Sequence, residues 1–436
     1  MSTSELRPKT IRPDLPSIYF VVESPLSERD TLRFGLRTLR DSGFQVHVWD
    51  VSHLYLPKSN MQFISEPTDF TAIGFQELNS FFAACRNLCQ GDVVITLSGV
   101  YRGQLSTHRR LLAAISKSPA LFCSVSATHI PDFKNPDLKM KSVTTILLRF
   151  KILVHRCLLS SSWNRAMYRS WIRIRYGIRP LDAIWAGTTT FPIDDALISK
   201  RTAVRFIHSF DYDLIAPEFP NVNSTQGGAV LLDTMGPLHP DFETLNESLQ
   251  GQNAAYYFRA LRTWLDRAEA EIGAKLTIAA HPRAAPGTLE EHYGHRRILY
   301  GKTASAVARS QLVILTSATT SAGMAVAMSK PIVGIRIPGA GYSIHSQLEE
   351  LAGILKFRLL HADESLAPLV AAEISETAYS AYMSNYVKHD GTPDRPFWEN
   401  VAEDLMHIED CLKELPARAE KYKDASPPNS VQQARP

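Results

Sequence analysis

Residues Lys275-Leu276-Thr277-Ile278-Ala279-Ala280-His281-Pro282-Arg283 decide how this chain folds. Lys275 to Ala280 has the length and apolar character of a buried strand, and it runs directly into a polar His-Pro-Arg turn. The proline restricts His281 to extended geometry, which leaves the imidazole at the strand's carboxyl end. Upstream, Gln252 to Ile272 carries Tyr257, Leu261, Trp264, Ala268 and Ile272 as one apolar helical stripe, stopped by Gly273. Before that helix, Ala229 to Leu232 reads as a strand ending in Asp233. Downstream, Leu312 to Leu315 is a strand ending at Thr316-Ser317, Thr319 to Met328 a small-residue helix, and Pro331 to Ile337 a strand. Strands alternating with helices make a parallel α/β sheet.

The first half has the same rhythm. Ile18 to Val22 is an apolar run that stops at Glu23-Ser24-Pro25, and Gln45 to Trp49 is a second strand. Between them a helix is expected from about Arg29, with Leu32, Leu36 and Leu39 on one face and Gly43 as its stop. Asp92 to Leu97 before Ser98-Gly99, a helix from about Leu105 to Lys117 and a strand from Ala120 to Val125 continue the pattern. Val204 to Phe210 resumes the sheet and leads into His208-Ser209-Phe210-Asp211-Tyr212-Asp213. A loop rich in proline, asparagine and glycine follows, and the domain boundary is placed there. The expected fold class is α/β, with two Rossmann-like domains facing across a cleft. The expected divisions are an extension at 1–16, a first domain at 17–220 with an insert at about 138–181, a second domain at 221–400, and a helix and disordered tail at 401–436.

A chain of 436 residues needs more than one core. Its net charge of +3 does not by itself argue for nucleic acid. Five cysteines without a CxxC pair read as reduced and mostly buried; Cys85 and Cys89 are expected on one helix as small buried side chains. The opening MSTSELRPKTIRPDLP has no apolar stretch, and no run is long enough to span a membrane, so a cytoplasmic protein is expected. No GxGxxG follows the first strand, which disfavours a dinucleotide oxidoreductase, and there is no P-loop, HExxH or GxSxG.

Ligands of open α/β sheets bind beyond the carboxyl ends of the strands. His281 and Arg283, with Pro282 holding the turn, could take a phosphate, against the reading of a solvated loop. Thr316, Ser317, Thr319, Thr320 and Ser321 supply more hydroxyls than one helix cap needs, which favours an anion at the turn. Ala322, Gly323 and Ala325 would keep that helix thin for a ligand. Asp233 could be a general base or a nucleophile, or simply cap the next turn; His239 and Asp241 lie near it. His208 with Asp211 and Asp213 could be acid/base machinery or a metal set, although ordinary turn residues fit as well. Glu23 faces the cleft from the first domain. A metal-independent site without a cofactor is the default.

From Leu138 to Leu181 there is no acidic residue, while ten lysines and arginines interleave with Trp163, Tyr168, Trp171 and Tyr176. Nucleic acid is set aside because no matching module accompanies the charge. A solvated face and a surface lying on anionic lipid both remain open. The second would place the protein peripherally on the inner face of the plasma membrane.

These motifs resemble those of bacterial capsule and lipopolysaccharide glycosyltransferases of GT-B type, in the Kdo-transferase-like and sialyltransferase-like group that uses CMP-sugars. The matching pieces are Leu232-Asp233 with His239-Pro240-Asp241, Ile278 to Arg283, and Thr319-Thr320 leading to Lys330-Pro331-Ile332. Weaker matches are Val22 to Leu26 and His208 to Asp213. The resemblance implies that His281, Pro282, Thr319 and Thr320 hold the donor nucleotide, and that Asp233 leads the catalytic candidates. It implies a nucleotide sugar, CMP-linked and carrying Kdo or another acidic sugar, passed to a surface polysaccharide or lipid-linked glycan. Thr-Thr stands where Ser-Ser or Ser-Thr is expected, and Thr316-Ser317 where a histidine would be. Two other readings are a GT-B-shaped sugar-nucleotide epimerase and a non-catalytic docking partner of a polysaccharide assembly complex.

Overall fold

The computed structural model describes residues 12, 14–55, 69–96, 106–127, 130–131, 171, 173–187, 197–222, 228–238, 253–282, 284–364 and 373–408. Outside them lie Ser98-Gly99, most of the basic stretch at 138–181, His239 to Asp241, Arg283, Cys157, Cys411 and the tail beyond 408. The first sheet is built from β1 (Ser17–Val22), β2 (Gln45–Asp50), β3 (Ala72–Gly74), β4 (Val93–Thr96), β5 (Leu121–Ser126), β6 (Ala183–Ala186) and β7 (Ala203–Phe206). The second contains β8 (Ala229–Leu232), β9 (Thr277–Ala279), β10 (Arg297–Leu299), β11 (Leu312–Leu315), β12 (Ile332–Arg336) and β13 (Arg358–His361). Their orders are β3-β2-β1-β4-β5-β6-β7 and β10-β9-β8-β11-β12-β13. Within both sheets every described strand pairing is parallel. Both are doubly wound, and together they fit the two-domain GT-B plan.

A parallel sheet covered on both faces needs strands that are apolar at every position. In β1, Ile18, Phe20 and Val22 enter one core and Val21 the other. In β8, Val230 and Leu232 face one side while Ala229 and Leu231 face the opposite one. The helix Ala254–Ile272 begins where the Asn253 side chain accepts from the Tyr256 amide and ends at left-handed Gly273. Its stripe buries Tyr257, Leu261, Trp264 and Ala268 against the second sheet, with Phe258 and Leu265 beside them. Burial of each such large side chain contributes on the order of 2 kcal/mol.

The helix expected after β1 is two helices, Glu28–Arg33 and Leu36–Asp41, separated at Gly35 with φ 57°. Leu32 is therefore exposed, while Leu36 and Leu39 are buried. The break makes room for Trp398: a Cβ on Gly35 would lie 2.0 Å from the indole Cγ. Trp398 belongs to the helix Phe397–Met406, whose Phe397, Trp398, Val401 and Leu405 join the core of the first domain. The chain thus returns to its first domain after completing the second. The crossing from the first core comes early, since Ile207 belongs to it and Tyr212 already packs in the second. Cys85 is buried, but Cys89 lies beyond the end of the helix Leu78–Arg86 and is exposed, so the paired burial expected for them is not found. Among the described residues no helix is long and apolar enough to cross a membrane.

Candidate functional site

In the second sheet the chain order reverses between β8 and β11, and the crevice outside their carboxyl ends is where such sheets take ligands. Asp233 and Thr234 leave β8 on one side of it, and Thr316 and Ser317 leave β11 on the other. The two sides are joined directly, with Ser317 Oγ donating to Thr234 Oγ1 at 2.8 Å. Tyr257 reaches up from the long helix and donates its hydroxyl to Thr316 Oγ1 at 3.0 Å.

Asp233 is 7% exposed and organises the crevice. Its Oδ1 accepts from the Tyr293 hydroxyl at 2.7 Å and from the Met235 amide at 2.8 Å. Its Oδ2 accepts from the His281 amide at 3.2 Å. One carboxylate therefore holds its own turn and the strand end that presents His281. Burial, followed by the Asp233 charge, holds the Tyr293 phenol well above its ordinary value, so it stays protonated as a donor. The turn is tight: Met235 has φ 59°, and Gly236, at φ 45°, lies where a Cβ would come within 2.8 Å of the Tyr257 ring. His281 is half-buried and Pro282 exposed, consistent with a residue presented at the rim of the crevice.

After β11, Thr319 and Thr320 are half-buried in a turn that precedes a short helix, Ala322–Ala327. Thr319 Oγ1 accepts from the Ser321 amide at 3.3 Å, so one of the surplus hydroxyls does cap the chain. The small residues serve packing. Ala322, Gly323 and Ala325 are buried, and a Cβ on Gly323 would meet Val387 Cγ2 at 3.0 Å. Gly323 lets the segment Met383–Val387 pack closely against this helix.

In the first domain the order reverses between β1 and β4, and Glu23 stands at the carboxyl end of β1. Its Oε1 lies 3.7 Å from Nδ1 of His108, which is 1% exposed in the helix Ser106–Lys117. His108 was not singled out in the sequence, where nothing marks it apart from other helical residues.

His208 and Asp213 take the bland reading. The His208 ring nitrogens are each 3.0 Å from a backbone carbonyl, Nδ1 from Ser209 and Nε2 from Arg395, and the residue is fully buried. Asp213 Oδ1 is 3.6 Å from His208 Nε2, and both its oxygens accept from the Phe397 amide at 3.1 Å. Burial raises its pKa to about 6. Asp211 sits in the first turn of the helix Phe210–Ile215, where a carboxylate favours the helix dipole. These residues tie the returning chain to the seam between the domains. Among the described residues no group of three or more His, Cys, Asp or Glu is placed to hold a metal ion.

The structure thus brings Asp233, His281 and Ser317 together at one crevice and puts Glu23 at the equivalent point of the other sheet. Thr234, Tyr257 and Tyr293 complete the second crevice and were missed. No protein-family model matches this chain, and no curated protein matches it significantly. Solved structures do resemble it. The chain is similar to MurG of Acinetobacter baumannii, at 11% identity over 90% of this chain and 99% of that one, with TM-score 0.41. It is similar to a variant of the wall teichoic acid polymerase TagF, at 8% identity over 94% and 91% of the two chains, with TM-score 0.43. A third similar structure is the spinosyn forosaminyltransferase SpnP, at 12% identity over 93% and 99%, with TM-score 0.38.

Proposed function

We propose that this protein is a glycosyltransferase that takes a sugar from a nucleotide donor seated in the crevice between β8 and β11. The observation that carries the reading is the built crevice at the switch point of the sheet, where Asp233 holds the strand end presenting His281 and the adjacent Thr234 accepts from Ser317. For the donor we infer a CMP-linked acidic sugar such as Kdo, and for the acceptor a surface polysaccharide or lipid-linked glycan. Support for this finer reading is the order of the His281-Pro282 and Thr319-Thr320 motifs, which follow β9 and β11.

In this reading the acceptor hydroxyl approaches from the first domain and passes its proton to Glu23, whose carboxylate is backed by buried His108. The acceptor oxygen bonds to the anomeric carbon as the bond from that carbon to the phosphate oxygen breaks. The electron pair leaves on the phosphate, where His281 and the Thr319-Thr320 turn offset the developing charge. Asp233 is a positioning residue, since its oxygens already accept three hydrogen bonds. An enzyme elongating a lipid-linked glycan would work at the inner face of the plasma membrane.

The test is calorimetric titration of CMP, CDP, UDP and GDP into wild-type protein and into His281→Ala. Selective CMP binding that the variant loses supports the full reading. Selective UDP or GDP binding keeps a nucleotide-sugar enzyme and discards the CMP-sugar donor. Absence of any nucleotide binding overturns the proposal and favours a docking protein.

A further inference from the structure

A cavity of about 140 Å³ lies away from the crevice, under the helix Thr303–Arg309 and at the amino ends of β8, β9 and β10. Val230, Thr277 and Arg297 are register partners across these three strands and form one row of its floor. Ala306 and Ser305 line the helix side, and the small side chains of that helix leave the space open. Four cations, Lys275, Arg297, Lys302 and Arg309, surround it, and no acidic side chain lines it. Ala229 and Asp233 are four residues apart on the same chain, so the cavity and the crevice are separated by roughly 13 Å along the strand.

Three of these cations, Arg297, Lys302 and Arg309, have no carboxylate or side-chain hydrogen-bond partner among the described residues, while Lys275 Nζ sits 3.2 Å from His295 Nε2. The neighbouring Arg296 shows the contrast. It is 6% exposed, and its guanidinium reaches Asp266 at 2.5 Å and Glu269 at 3.0 Å. Where this sheet keeps an arginine for structure, it supplies carboxylates. Four positive groups around one cleft, with no carboxylate among them, focus potential into it and raise the local concentration of anions. Two guanidiniums among them match phosphate oxygens in bidentate geometry. The volume is close to the ~150 Å³ that holds a benzene-sized guest, which suits a diphosphate and is small for a whole nucleotide.

We propose that this cavity is a second anion site, which binds a phosphoryl-bearing group of diphosphate size, either free or carried on a lipid headgroup. The probe is inorganic pyrophosphate, titrated by calorimetry into wild-type protein, into His281→Ala and into the double variant Arg297→Ser with Arg309→Ser. Saturable binding is expected in wild type and in His281→Ala, with affinity reduced roughly tenfold or more in the double variant and weakened by added salt. Both arginines are exposed, and an unchanged thermal midpoint together with unchanged nucleotide binding shows that the double variant is folded. Equal pyrophosphate affinity in wild type and double variant overturns the site, as does no saturable binding to wild type. Loss of pyrophosphate binding in His281→Ala alone also overturns it, by moving the anion to the crevice. Co-sedimentation with phosphatidylcholine vesicles containing phosphatidic acid then separates the two sources. Sedimentation lost in the double variant assigns the group to a lipid headgroup, and no sedimentation of wild type assigns it to a free anion.

Discussion

The Tyr293 hydroxyl donates to Asp233 Oδ1 at 2.7 Å across a sequence separation of 60 residues, and both side chains are buried. That bond closes the clamp whose other arms are the amides of Met235 and His281. Removing one partner of a buried bond to a charged group costs about 1–3 kcal/mol, because the carboxylate cannot recover water there. Tyr293→Phe is therefore expected to lower unfolding free energy by that amount in urea titrations. It should also weaken nucleotide binding, because the His281 strand end loses its anchor. Full stability with full nucleotide affinity would mean that the clamp does not organise the crevice.

Glu23→Gln keeps the shape of the side chain and removes its ability to take a proton. If Glu23 accepts the acceptor's proton, turnover should fall by roughly 10²–10⁴-fold while donor affinity stays the same. His108→Ala should give a smaller loss in turnover with the same split, since the ring supports Glu23 from 3.7 Å. Steady-state kinetics with donor and acceptor varied separately check both. A change in donor KM without a change in kcat would move Glu23 out of the chemistry.

Local periodicity carried the architecture. The alternation of apolar runs and striped helices, punctuated by Gly43 and Gly273, placed strands and helices close to where they occur, including Ala254–Ile272 almost to the residue. The strand ends were legible for the same reason, so Asp233, His281 and Thr316-Ser317 could be named before their geometry was known. Partners distant in sequence were not legible. Nothing around Tyr293 tells of Asp233, and nothing around Gly35 tells of Trp398. The error at Leu32 follows from this, because the helical stripe was extended through a glycine whose backbone had yielded to an indole from the other end of the chain.

Asp213 gives the seam between the domains a defined pH response. Burial raises its folded pKa to about 6 from an ordinary 3.8. Between those values the folded state holds more protons at this group than the unfolded one, so its contribution to stability is full below about pH 4 and is lost as pH rises through about 6. Asp213→Asn has no such proton to lose. Its stability relative to wild type should therefore rise between pH 4 and pH 7, by about 1–3 kcal/mol. Urea unfolding of both proteins at the two pH values measures this, and a difference that stays constant would show that Asp213 does not titrate across that window.

One fitted contact in the return of the chain to its first domain is Trp398 against Gly35. Trp398 donates its indole N–H to the Arg33 carbonyl at 2.8 Å and packs edge-to-face with Phe20 and Phe397. It occupies the space that a side chain at residue 35 would need. Trp398→Ala should cost about 3–5 kcal/mol through lost burial and the cavity left behind. Gly35→Ala should be comparably damaging for two separate reasons, a left-handed φ of 57° and a Cβ 2.0 Å from the indole. Combining the two substitutions distinguishes these causes. If the clash dominates, the double variant is little worse than Trp398→Ala alone, because removing the indole frees the space for the new methyl. If backbone strain dominates, the two losses add. Thermal unfolding of the three variants reads the difference, and a Gly35→Ala protein as stable as wild type would mean that Trp398 does not seat against Gly35.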